Sequence, residues 1–531
     1  MQHSSATRKL RKALARGSLQ KRAIMQCVLN CGVTRSPMEE NTVCYMRMRR
    51  WLSTGLSIVL LSADMAAATE QSQNSSPLDT VQQMQAVNTR AMNDPISFSV
   101  LQQLTNEIGP RLTGSLQERR AGEWALDEMR KAGLTHVHAE SWQLEKAWTR
   151  GYARGQMLSP FPLELILTSL GWAGSTPPGG VESDVVPVDA GALEEECRNH
   201  AAQWANKILL VAPKDPKHAD FFQGMSKFPL FLSVAAEHHI LAIIEADWRP
   251  GMVLPHTGPI AFGGPASDLP VISLANEQQQ LISSIVDSGH PVRIKLDIRN
   301  TFSTVPVLSH NIVGEIRGSQ HPEQIVIVGA HLDSWDLGTG AIDDGFGVAA
   351  VLGAAHSIIS SGAKPKRTIR FVLFTGEEQG LLGSKAYLQA HAAEWHNIIC
   401  AFALDWGNGP ITKIPVAGHE ELRAPFEDLF RSMPNLASIK VGSGFLMSTD
   451  AYAFTLAGIP GIAPFQDSPS YTMIGHSAAD TLDKVNPQVL AQDSAILAVL
   501  ALWLADHPQR LGAVWSREET AQKLSENGLT K

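Results

Sequence analysis

The sequence predicts an α/β protein: a parallel sheet covered by helices on both faces, interrupted by an inserted β-rich domain. Three observations carry that prediction. From about residue 305 onward, near-continuous apolar runs alternate with helical patterns, as buried parallel strands and their crossover helices do. Between about residues 159 and 299 the runs shorten and are punctuated by Pro and Gly clusters. Three runs in the regular part stop on ligand-type side chains, and an open α/β sheet binds its ligands beyond the carboxyl ends of its strands.

Residues 1–68 read as a basic leader ending in a signal peptide. They hold 11 Lys/Arg and 3 Asp/Glu, a net +8 that leaves −16 on the rest of a chain whose formal charge is −8. Arg47, Arg49 and Arg50 precede the apolar stretch 51–61, and Ala66-Ala67-Ala68 offers a small-residue cleavage site. Read as an uncleaved anchor, that stretch is too short for a comfortable span. Export, to the periplasm or the medium, is therefore expected. The long preface before Met46 suits translation starting at Met46 or Met48. No central segment reads as apolar and long enough to cross a bilayer, so no stable membrane span is expected after signal removal. The acidic body argues against nucleic acid, whose phosphates need basic patches. Of five cysteines, only Cys197 and Cys400 lie beyond the leader, so no disulfide scaffold is built.

Residues 69–158 read as the N-terminal part of the catalytic domain. A polar start at 69–80 leads into helical patterns over 81–134, broken by Gly109-Pro-Arg-Leu-Thr-Gly114. Ser115 is the expected N-cap of a helix over 116–132 that carries Ala121, Trp124, Ala125 and Met129 on one face and stops at Gly133. Strands follow at 137–144 and 153–158. The insert, 159–299, holds strands at 163–167, 207–211, 240–244 and 271–273. The catalytic domain resumes over 300–531 with strand 324–329, helix 345–361, strand 368–374, helix 383–391 and strand 398–404.

The chemistry gathers at the strand ends. The first strand leads to His331 and Asp333, the second to Glu377 and Glu378, the third to Asp405. Two adjacent carboxylates beside an apolar run are expensive unless something cationic offsets them. Gly340-Ala-Ile-Asp-Asp-Gly345 and Gly475-His-Ser477 add Asp343 and His476. A mixed His and carboxylate set suits zinc. We assign His331, Asp343 and Asp405 to one ion, and Asp343, Glu378 and His476 to a second, with Asp343 bridging. Glu377 is left as the general base. Asp333, two residues past His331, is expected to orient that imidazole.

Each group alone has a structural reading: Asp343-Asp344 as an N-cap, Asp405 as a turn residue, His331 as a satisfied core histidine. Their convergence on one rim is what outweighs those readings. The histidines in 391–396, 238–239 and 419 lack partners at ligand spacing, and no G-x-S-x-G elbow occurs.

These motifs resemble the co-catalytic zinc peptidases related to bacterial leucyl aminopeptidase and glutamate carboxypeptidase, and most closely the carboxypeptidase Q-like branch. The resemblance rests on His331-Leu-Asp-Ser-Trp-Asp336, Gly340-Ala-Ile-Asp-Asp-Gly345, Glu377-Glu-Gln-Gly380, Thr449-Asp450, Ala457-Gly-Ile-Pro-Gly461, and His476-Ser477 with Asp480-Thr481, over roughly residues 85–505. It implies a mixed central sheet with a protease-associated-type insert, two zinc ions per subunit, and hydrolysis of unblocked dipeptides or short peptides. Several members are dimers. The chain departs from the pattern in places. Leu446 falls near the tyrosine that aids the oxyanion in leucyl aminopeptidases, Ala451 replaces a histidine, and Gly376 stands where relatives often have alanine. Tyr452 or Tyr471 could take the tyrosine's role. A glutaminyl cyclase or a non-enzymatic receptor-like module on the same scaffold are the alternatives, and the complete double ligand set argues against both.

Overall fold

The alternation of apolar runs becomes a six-stranded mixed sheet. Its order is Thr135–Leu144, Val307–Ile316, Arg367–Phe374, His321–His331, Ile398–Ala403 and Gly461–Ile462. The last four strands are mutually parallel, while the first two pair antiparallel at one edge. A computed structural model describes residues 77–212, 221–246, 248–257, 266–527 and 529, so the leader and signal peptide lie outside the described residues. Every residue of Arg367–Phe374 and of Ile398–Ala403 is buried, as expected of strands covered on both faces.

Successive side chains of a strand face opposite layers. Val326, Val328 and Ala330 therefore join Phe371, Phe402 and the helices Phe346–Ser360 and Pro487–Asp506 in one cluster. Ile325 and Ile327 join Val372, Phe374, Tyr387 and Phe454 in another. Both Pro487–Asp506 and Ala341–Ser360 are long and apolar enough to cross a membrane by length and composition, which corrects the reading that no such segment exists. Their most apolar windows are 78% and 89% buried, which marks them as core helices of this fold. The N-cap at Ser115 forms as expected, its side chain accepting from Glu118 N at 3.1 Å.

A second, eight-stranded sheet runs from Trp148 to Phe302, so the expected limits at 159 and 299 fall within its strands Trp148–Ser159 and Arg293–Phe302. The segment is not purely β: helices Leu193–Asn199, Phe221–Glu237 and Asn276–Asp287 accompany the strands. Phe221–Glu237 escaped prediction because Pro229 sits inside it, and proline in an apolar stretch reads as a break.

Indoles join the two sheets. Trp142 from the first, Trp148 from the second, Trp172 in the turn after the second sheet's strand Leu167–Ser169, and Trp335 beyond His331 share one cluster. Trp148 stacks on Trp172 at 5.9 Å, and Trp172 meets Trp335 edge-on at 6.2 Å.

Candidate metal centre

The parallel register brings three chemical strand ends level. His331 pairs with Phe374, and Gly329 with Ala403, so Glu377, Glu378 and Asp405 emerge beside His331 on one rim. Asp343 comes from the turn Ala341–Gly345 just before the helix Phe346–Ser360. Two features seat that turn. Asp344 accepts from Gly347 N at 2.9 Å and from His331 N at 3.1 Å, so it caps the helix while its neighbour Asp343 faces the site. Gly347 is required because a Cβ there would lie 2.3 Å from Leu404 O.

Asp343 divides its carboxylate between two histidines. Its Oδ1 lies 3.0 Å from His331 Nε2, and its Oδ2 lies 2.9 Å from His476 Nε2. His331 Nε2 is also 3.6 Å from Asp405 Oδ1, and His476 Nε2 is 3.1 Å from Glu378 Oε2. The five expected ligands therefore converge. His331, Glu377 and Asp405 place ligand atoms within 4.8 Å of one another, as do His331, Asp343 and Glu378.

Electrostatics define what is missing from this arrangement. Burial, then the Asp405 charge, pushes the Glu377 carboxyl well above its ordinary value. Burial pushes Glu378 up to about 7 and Asp405 up to about 6. Burial acts the same way on Asp343, but His476 and His331 outweigh it and hold that carboxyl well below its ordinary range. For the two imidazoles burial opposes the charge, yet Asp405 beside His331 and Glu378 beside His476 raise both well above the usual value. Glu378 Oε1 is buried without a hydrogen-bond partner. Crowded buried carboxylates, one orphaned oxygen and imidazole nitrogens turned inward fit a cation with nitrogen and oxygen ligands.

The surrounding groups fix these side chains. Trp335 Nε1 donates to Glu378 Oε2 at 2.6 Å, and Tyr471 Oη donates to Asp343 Oδ2 at 2.6 Å. Tyr452 instead packs against the cluster around Phe454 and Ile459. Asp480 accepts from Ile342 N at 2.7 Å and Asp343 N at 3.2 Å, holding the turn. Arg111, fully buried within the Gly109–Gly114 segment, donates to Leu332 O at 2.7 Å and Gly340 O at 2.9 Å.

Asp333 meets the His331 imidazole through its backbone carbonyl. His331 Nδ1 lies 3.0 Å from the Asp333 backbone carbonyl but 3.6 Å from its carboxylate. The carboxylate instead accepts from Thr113 Oγ1 at 2.8 Å and from Glu377 N at 3.4 Å. Gly376 has φ +73°, and a Cβ there would lie 2.7 Å from the Trp142 ring, so alanine at this position is not a small change in this chain.

His476 has φ +52°, a region disfavoured for residues bearing a side chain. The segment 248–257, which follows the second sheet's strand Ala242–Ala246, holds it there. Arg249 Nη1 donates to Gly475 O at 2.8 Å, and His256 N donates to His476 O at 3.1 Å. Thr257 Oγ1 pairs with His476 Nδ1 at 2.7 Å. Sequence reasoning missed these partners, because nothing local in 248–257 marks them.

A sequence model described as peptidase family M28 matches residues 311–501. Human carboxypeptidase Q is 30% identical over 419 residues, covering 78% of this chain and 86% of that protein. The crystal structure of a peptidase M28 precursor from Shewanella amazonensis superposes with a TM-score of 0.73 at 31% identity, covering 82% of this chain and 99% of that one. An aminopeptidase from Aneurinibacillus sp. strain AM-1 shares the fold, with a TM-score of 0.61 at 20% identity over 82% of this chain and 98% of that one.

Proposed function

The chain belongs to peptidase family M28 and is a zinc metallopeptidase, and from that premise we propose that it is an exported exopeptidase that hydrolyses dipeptides or short peptides with a free terminus. We assign His331, Asp343 and Asp405 to one zinc ion, and Asp343, Glu378 and His476 to a second. The observation that carries this reading is the Asp343 carboxylate, which turns one oxygen to each histidine at 3.0 and 2.9 Å. Zinc bound there would supply Lewis acidity, polarising the scissile carbonyl and acidifying a water near neutral pH.

The chain's own residues do the rest. Glu377 takes the proton of the attacking water and returns it to the leaving amine. The bond from Glu377 N to Asp333 holds it at the rim. Trp335 fixes Glu378. Burial, then Asp343, keeps the Tyr471 hydroxyl protonated; its one O–H is donated to Asp343 Oδ2 here, and would become free for the developing oxyanion once that carboxylate engages zinc. Tyr471→Phe should lower kcat by about 10²-fold with zinc content unchanged. Equal kcat in the two proteins would remove Tyr471 from the mechanism.

Chelation should abolish activity and zinc should restore it. The metal-free protein should also lose stability as pH rises. Glu378 titrates at about 7 in the folded chain and Asp405 at about 6. Unfolded, both titrate near 4. The folded state therefore binds more protons between those values, and its stability falls across about pH 4 to 7. A bound cation offsets the crowded charge, so zinc should raise the thermal midpoint more at pH 8 than at pH 5. An equal zinc effect at both pH values would contradict this electrostatic account.

A further inference from the structure

We propose that Glu118 is a positioning residue for Glu377, fixing through two buried arms the backbone that carries the general base. The assignment rests on the exopeptidase reading with Glu377 as its base, and it names a residue outside the metal centre. Glu118 sits in the first turn of the helix Leu116–Lys131 and is 4% exposed. Its Oε2 accepts from Gly114 N at 3.1 Å, and its Oε1 accepts from Ser309 Oγ at 2.6 Å. Each of these bonds begins one arm.

The first arm crosses the sheet. Ser309, on the strand Val307–Ile316, also lies 2.8 Å from Thr375 Oγ1. Thr375 follows the strand Arg367–Phe374 and stands two residues before Glu377. Trp142 Nε1 donates to the same hydroxyl oxygen at 2.9 Å, and Thr375 N donates to Asn311 Oδ1 at 3.1 Å. The second arm passes through Gly114 to its neighbour Thr113, whose Oγ1 donates to Asp333 Oδ2 at 2.8 Å. Asp333 Oδ1 in turn accepts from Glu377 N at 3.4 Å. The two arms start at one carboxyl group and end on either side of Gly376, whose φ is +73°. Ser309, Thr375, Thr113 and Asp333 are all buried, so water does not compete along either route.

Helix capping alone does not account for this carboxylate. Ser115 already caps the helix by accepting from Glu118 N at 3.1 Å. A cap needs no burial, yet this carboxyl is buried, and burial pushes it up to about 7 against the bonds from Ser309 and Gly114 N. What a buried carboxylate adds is a direction for the bonds around it. An ionised carboxylate only accepts, so Ser309 donates to it and Ser309 Oγ is left to accept from Thr375. Thr375 then accepts from Trp142 and donates to Ser309, and every proton in the row has a place. An amide in the same position could donate toward Ser309 and reverse the row, turning two donors onto Thr375.

The test uses the full zinc-loaded chain and a dipeptide at pH 8, where the Glu118 carboxyl is mostly ionised. Glu118→Gln should lower kcat by about 10-fold or more, since misplacing a reacting group by about 1 Å costs up to about 10²-fold. It should leave KM within about 3-fold and leave zinc content at the wild-type level. Introduced into Glu377→Gln, the same substitution should change kcat by less than about 2-fold, because a positioning residue acts only through the group it positions. Ser115→Ala, which removes the helix cap alone, should lower the thermal midpoint and leave kcat within about 2-fold. Losses that multiply in the double variant, an effect confined to KM, lost zinc, or an equal fall of kcat in Ser115→Ala would each overturn the assignment. Should Glu118→Gln fail to fold, the arms decide. Ser309→Ala and Thr113→Val should each lower kcat in the wild-type chain and neither should lower it further in Glu377→Gln; unchanged kcat in both overturns the assignment. Full activity in Glu377→Gln alone would overturn the base reading and this assignment with it. Zinc-loaded wild type that cleaves no dipeptide would overturn the exopeptidase reading itself.

Discussion

Glu377→Gln should lower kcat by about 10²–10⁴-fold, the range a positioned general base contributes, while both zinc ions remain bound. The substitution keeps size and shape but removes the ability to take a proton. The backbone bond from Glu377 N to Asp333 is untouched, so the side chain should stay in place. Zinc content is the decisive companion measurement. Glu377 lies within ligand distance of His331 and Asp405, so the geometry also allows it to act as a ligand. A variant that loses zinc along with activity would reassign Glu377 from base to ligand. A variant that keeps full activity would remove it from the mechanism.

Asp343→Asn should have the largest effect on the metal site. One carboxylate serves both histidines, so its loss should carry zinc content from two ions per chain toward none. Asp405→Asn, which touches only the His331 side, should by contrast leave one ion bound. The metal-free Asp343→Asn protein should also be less stable by about 3–5 kcal/mol, the usual cost of removing one partner from a buried charge pair. His331 and His476 both lose their nearest anion in that variant, at 3.0 and 2.9 Å. Metal analysis and denaturant unfolding check the two halves. Retention of two ions by Asp343→Asn would end the bridging assignment.

The central parallel strands of the first sheet were legible because burial on both faces makes them near-continuously apolar. His331, Glu377 and Asp405 stand out for that reason, as polar groups where an apolar run ends. Asp343 and Asp344 were harder to separate, since adjacent aspartates before a helix look alike in sequence. Only the turn at Ala341–Gly345 sends one to cap the helix and the other into the site. For Asp333, spacing placed the residue beside His331, but spacing does not choose between its carboxylate and its carbonyl. Tyr471 could be singled out from Tyr452 only through geometry. The contribution of 248–257 was not legible at all. Thr257 and His476 are 219 residues apart, and no periodicity links them.

The hold of the segment 248–257 on His476 means that the catalytic half is not a detachable module. A chain trimmed of residues 148–302 would leave that imidazole without its Thr257 partner, and would leave its strained backbone without the two donors that brace it. Any loosening of the 248–257 segment would therefore be felt first at His476.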